Sequence, residues 1–161
     1  MNWRRTLFLG LGVFLTQLFL SELMTIRGIR PDFLLIFVMY MAMQKGSPTG
    51  VVTGFVIGFL EDLLSAGSLF GLASLTKSLS GFLLGRLHGR YPRMSPVVFH
   101  VAWVSIVLIH FFLYIYVRFQ SVYNSSKFEF WVTWLFTVIY TLVFVGIVQV
   151  IVPLHRIQPE E

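Results

Sequence analysis

Glu61, Asp62 and Lys77 are the residues whose chemistry most needs a reason, because each interrupts or ends a long apolar stretch. An ionised side chain in hydrocarbon is costly, and it is kept for ion pairing, for proton or ligand handling, or for contact with a partner. The two acids close one hydrophobic run, and Lys77 falls about eight residues into the next, across a short Gly/Ser turn. At 1.5 Å per residue, Lys77 is expected roughly 12 Å deep, where its stem can snorkel toward the nearer surface. A short turn makes the two helices antiparallel neighbours and brings Asp62 within reach of Lys77. The spacing favours a buried ion pair that fixes helix packing, with a ligand, proton or partner site as the functional alternative.

Other residue types narrow the chemistry. Gly50, Gly54 and Gly58 recur every four residues, as do Gly81, Gly85 and Gly89. Small residues at this spacing let helices approach closely, either within the chain or against a partner helix. His100 and His110 are ten apart, which places them roughly 80° apart around a helix, so they are not an i, i+4 metal pair. They read as packing histidines. H-E-x-x-H, G-x-S-x-G and P-loop patterns are missing. The chain has no cysteine, which removes disulfides, thiolate zinc sites and thiol catalysis. No catalytic residue, metal or cofactor is expected.

These residues must be positioned by a membrane. Of 161 residues, 57% are hydrophobic and only 12% charged, and aromatics reach 17% with 17 Phe; mean hydropathy is +0.81. A soluble domain of this size has too much surface to hide that apolar area. Disordered, nucleic-acid-binding and ordinary cytosolic enzyme classes are excluded. Continuous apolar runs, rather than alternation, predict an all-α polytopic fold of about six transmembrane helices in a single domain. The segments are about 6–24, 32–44, 49–64, 69–87, 96–117 and 130–152. The first follows Arg4 and Arg5 but lacks an A-x-A cleavage site, so it reads as a retained helix rather than a signal peptide. The second is short, and spans only with small tilt or local thinning; a re-entrant segment is the alternative. Pro31 and Asp32 mark its entry.

With the N-terminus inside, Arg4, Arg5, Lys45, Arg86, Arg90, Arg93 and Arg156 face the cytoplasm, against Arg27, Arg30, Arg118 and Lys127 outside. Seven against four predicts both termini in the cytoplasm. The net charge of +5 is then explained by loops facing anionic headgroups rather than by a polyanion partner. The loop carrying Arg86, Arg90 and Arg93 is expected to anchor at cytoplasmic lipids, with a protein partner as the second reading.

The order of these features resembles a known family. Arg30-Pro31-Asp32-Phe33-Leu34-Leu35 leads into an apolar helix ending Tyr40-Met41-Ala42. Gly50-x3-Gly54-Phe55-x2-Gly58-Phe59-Leu60-Glu61-Asp62-Leu63-Leu64-Ser65 follows, then Gly71-Leu72, Leu75-x-Lys77 and Gly81-Phe82-x2-Gly85-Arg86-Leu87. Over about residues 30 to 90 this resembles MreD, the bacterial rod shape-determining membrane protein. The resemblance implies a non-enzymatic component of lateral wall elongation in the cytoplasmic membrane. It implies action with MreC, a single-span protein, and links to MreB filaments and to the glycan polymerase RodA with its transpeptidase partner. It also implies a fold similar to the substrate-binding membrane subunit of energy-coupling-factor vitamin transporters.

Three classes of function are therefore weighed. A scaffold binding other membrane proteins fits the small loops and glycine faces. A small-molecule-binding transporter subunit would use Glu61, Asp62 and Lys77 around an outward cavity, although no internal duplication supports it. An intramembrane enzyme would need a nucleophile, a base and water access that no motif supplies.

Overall fold

The computed structural model describes residues 10, 12, 13, 15–17, 23–25, 29–64, 69–151 and 153. Most of the expected first segment lies outside them, and so does most of the C-terminal tail. Residues 10, 12, 13 and 15–17 of that segment are helical.

The first helix described in full, α1, spans Phe33–Lys45. It is apolar on every side, and Leu34, Leu35, Ile36, Val38, Met39, Met41, Ala42 and Met43 are all buried. A helix of that pattern belongs inside a protein rather than at its surface. It begins where Pro31 lacks a donor and the Asp32 carboxylate accepts from Leu35 N–H at 2.8 Å. It ends at Gly46, whose φ of 86° turns the chain straight into α2, Ser47–Leu64. Gly71, at φ 95°, opens α3, Leu72–Gly85. A 3₁₀ turn at Tyr91–Arg93 leads to α4, Pro96–Arg118, capped by the Ser95 hydroxyl and started by Pro96. A short helix α5, Gln120–Ser125, precedes α6, Lys127–Ile151. The sequence reading treats the region of α5 as a polar connection only.

Helices α2 and α3 run antiparallel with their backbones in direct contact. Gly50 meets Gly81, Gly54 meets Lys77, Gly58 meets Ala73, and Gly85 meets Ser47. Gly50, Gly54, Gly58, Gly81 and Gly85 thus pack within the chain, whereas Gly89 lies beyond the end of α3 at φ 64°. Helix α1 lies against this hairpin, and its other side joins Leu84 of α3, Phe99, Trp103, Val107 and Phe111 of α4, and Val138 and Val145 of α6 in one apolar core. Large apolar side chains remain on the outside, including Val52, Phe55 and Phe59 on α2 and Leu135, Ile139 and Val143 on α6. That surface suits lipid.

Three described helices are long and apolar enough to cross a bilayer, namely Ser47–Leu64, Pro96–Arg118 and Lys127–Val150. The thirteen residues of α1 reach about 20 Å against a hydrocarbon core of about 30 Å. The fourteen of α3 fall short as well. The all-α membrane architecture is plain.

Candidate functional site

The site is built where α1 begins. Its first donors are met from two other places in the chain. Asp32 N–H donates to the Thr141 hydroxyl at 3.3 Å, and Phe33 N–H donates to Gln17 Oε1 at 2.8 Å. Gln17 Nε2 in turn donates to the Pro31 carbonyl at 3.3 Å. Non-helical backbone at membrane depth is tolerated only where protein or a wet cavity satisfies it, and these partners do so.

Lys77 projects from α3 to this point. Its ammonium lies 2.7 Å from Asp32 Oδ2 and 2.7 Å from Glu61 Oε2, with the side chain only 1% exposed. The Asp32 contact is a full hydrogen bond. Glu61 Oε2 lacks hydrogen-bond alignment, so its contact is Coulombic. The Tyr114 ring of α4 faces the same ammonium at 5.9 Å. One cation therefore ties the entry of α1 to the far end of α2 and to α3.

This corrects the expected Asp62–Lys77 pair. Asp62 is a cap for α3 instead. Its Oδ1 accepts from Ala73 N–H at 3.1 Å, and its Oδ2 accepts from Ser74 N–H at 3.0 Å and from the Ser74 hydroxyl at 2.8 Å. Gly71 has no side chain with which to cap that helix, so α2 supplies the acceptor. The physical reason for the swap is helical phase. Asp62 continues the Gly50–Gly54–Gly58 face that abuts α3, whereas Glu61 is turned about 100° away from it.

Sequence reasoning placed Pro31 and Asp32 at a helix entry but missed Asp32 as the partner of Lys77. It also missed Gln17, Thr141 and a Ser80–His110 contact. The Ser80 hydroxyl is 2.8 Å from His110 Nδ1, which also lies 3.2 Å from the Thr76 carbonyl. Ser80 and His110 are both buried. His110 Nε2 is enclosed without a hydrogen-bond partner among the described residues. A nucleophile needs a path to substrate, and this pair lies in the packing between α3 and α4. His100 is exposed and bonded to the Pro96 carbonyl one turn earlier at 2.7 Å. Among the described residues, no His, Cys, Asp and Glu cluster could hold a metal ion.

Above the Lys77 cluster lies a cavity of about 220 Å³. Asp32 and Glu61 of the cluster, Thr133 and Thr137 of α6, and Arg30 and Arg118 all line it. At the opposite end of the bundle, Arg86, Arg90 and Arg93 follow α3. Arg86 stacks near the Phe82 ring at 5.8 Å, and Arg90 and Arg93 are exposed. His88 in this loop is held to the Met43 carbonyl at 2.8 Å.

A family model described as rod shape-determining protein MreD matches residues 2–156 of this chain. No curated protein and no solved structure gives a match.

Proposed function

The chain belongs to the MreD family of rod shape-determining proteins, and from that premise we propose that it is a non-enzymatic scaffold of the bacterial elongation machinery. It sits in the cytoplasmic membrane with about six spans and both termini inside. It binds an MreC-like single-span protein and, directly or through it, the glycan polymerase RodA and its transpeptidase partner, with MreB filaments engaged indirectly. In this way it helps to organise lateral peptidoglycan synthesis.

The observation that carries this reading is the internal use of the membrane charges. Lys77 is almost wholly enclosed by two carboxylates of its own chain, and Asp62 is engaged as a helix cap. Such an arrangement rigidifies three helices and leaves their outer apolar faces available to other transmembrane segments. In this orientation Arg86, Arg90 and Arg93 meet cytoplasmic lipids or partners.

The test is a pulldown of the tagged full chain from native membranes in mild detergent, with protein and native mass spectrometry on one sample. Recovery of a single-span MreC-like protein with wall-synthesis enzymes is expected. The cavity over the Lys77 cluster favours a second reading, a small-molecule-binding subunit of a transporter with an energy-coupling-factor-like fold. Recovery of ATPase subunits or a bound metabolite would replace the scaffold by that reading. For orientation, single cysteines at positions 90 and 124 of this cysteine-free chain should label from opposite sides in intact cells and inverted vesicles, and labelling from one side would overturn the topology.

A further inference from the structure

The cavity over the charge cluster is itself charged, and its sign can be worked out. The two carboxylates that line it share Lys77 at 2.7 Å each. Arg30 and Arg118 are the other charged lining groups among the described residues. Among the described residues, three cations thus stand against two acids, a surplus of one positive charge. Both guanidiniums have donors to offer. Arg30 is exposed and makes no hydrogen bond among the described residues. Arg118 gives one N–H to the Tyr114 hydroxyl at 2.7 Å and is held over the Tyr114 and Phe119 rings at 5.6 and 6.0 Å. A guanidinium carries five N–H donors, so the bond to Tyr114 leaves Arg118 donors to spare.

We propose that this cavity binds a phosphate-bearing anion between Arg30 and Arg118. Planar forked donors match phosphate oxygens in paired hydrogen bonds, which makes arginine well suited to this anion. Thr133 and Thr137 also line the cavity, the Thr137 hydroxyl donating to the Thr133 carbonyl at 2.7 Å, and Ile115 and Phe119 add apolar lining. At about 30 Å³ per water, the 220 Å³ hold a phosphodiester with a small polar group but not a whole lipid. An anionic lipid headgroup entering from the adjoining leaflet and a free phosphate share this chemistry. The proposal does not depend on the scaffold reading.

The full chain, purified in uncharged detergent and delipidated, is titrated with phosphatidylglycerol, phosphatidylcholine or inorganic phosphate at matched ionic strength. Native mass spectrometry and thermal stability are the readouts. A one-to-one phosphatidylglycerol adduct, with little phosphatidylcholine, is expected. Arg30→Gln and Arg118→Gln should each weaken it by at least about tenfold, the effect of one lost charge-assisted hydrogen bond. Lys127→Gln, the same charge change on the same end of the bundle but outside the cavity, should leave it intact. If Arg118→Gln does not fold, Arg30→Gln and Arg118→Lys carry the test, the lysine keeping charge without the fork. Equal protection by inorganic phosphate, lost in the same variants, supports the anion site and assigns it to soluble phosphate. Adducts unchanged in both glutamine variants, equal binding of phosphatidylcholine, or no binding of either anion would overturn the proposal.

Discussion

Replacing Gly58 by alanine tests the packing on which the whole site rests. A Cβ there would stand 2.5 Å from the Ala73 carbonyl oxygen and 2.6 Å from Ala73 C and Ser74 Cα, where ordinary contact begins at 3.4 Å. All three atoms are backbone, so no rotamer change relieves the clash, and α3 must retreat by about 0.9 Å. The same backbone is what Asp62 caps. Its bonds to Ala73 and Ser74 N–H are 3.1 and 3.0 Å, and a retreat of that size carries them beyond hydrogen-bond range. Overpacking costs about 1–3 kcal/mol and a lost cap about 0.5–2 kcal/mol. The two effects share atoms and do not simply add. A loss of about 2–4 kcal/mol follows, or a fall in Tm of roughly 5–10 °C for a chain of this size. The assay is thermal unfolding of the purified protein in one detergent, beside Gly146→Ala. Gly146 lies in α6 with nothing within 4 Å of its built Cβ, so alanine there should be neutral or slightly stabilising through helix propensity. Wild-type stability of Gly58→Ala, or an equal loss in Gly146→Ala, would refute the reasoning.

Two further outcomes follow from the charge cluster. Lys77→Met leaves Asp32 and Glu61 without their cation and should destabilise by about 3–5 kcal/mol. Adding Asp32→Asn and Glu61→Gln should restore much of the folded yield, as read by monodisperse elution, and no recovery would mean that the pairing is not what Lys77 supplies. Asp62→Ala should lower stability by about 0.5–2 kcal/mol, with Asp62→Asn milder because one acceptor oxygen remains. Equal losses in the two variants, measured by thermal unfolding, would return Asp62 to a role that depends on its charge.

The helical segments were legible because lipid demands long apolar runs, and α4 and α6 supply them without ambiguity. The α2–α3 hairpin was legible too, because a short turn makes the two helices antiparallel neighbours, while the glycine spacing alone fits packing within the chain and docking of a partner equally well. Asp62 could have been assigned from the sequence. It is the next member of the Gly50, Gly54, Gly58 series, and a carboxylate on that face meets the start of the facing helix. Charge type drew attention to Lys77, while periodicity carried the better information. Gln17 and Thr141 were not legible. Each acts on backbone brought to it by tertiary folding, Thr141 across 109 residues, and an isolated polar residue in an apolar run gives no sign of its partner.

Asp32 is the case where the sequence feature and the fold explain each other. The thirteen residues of α1 begin inside the protein, where unmet N–H groups at a helix start are costly. Pro31 removes one of those donors and the Asp32 side chain satisfies another. A carboxylate so enclosed needs a cation. Lys77 supplies it from α3, and Glu61 on α2 completes the charge environment. Lys77 is thus buried beside the carboxylate that caps α1, and it neutralises that cap. The same carboxylates, Asp32 and Glu61, line the cavity, so the start of the short helix, the buried lysine and the cavity share one set of residues.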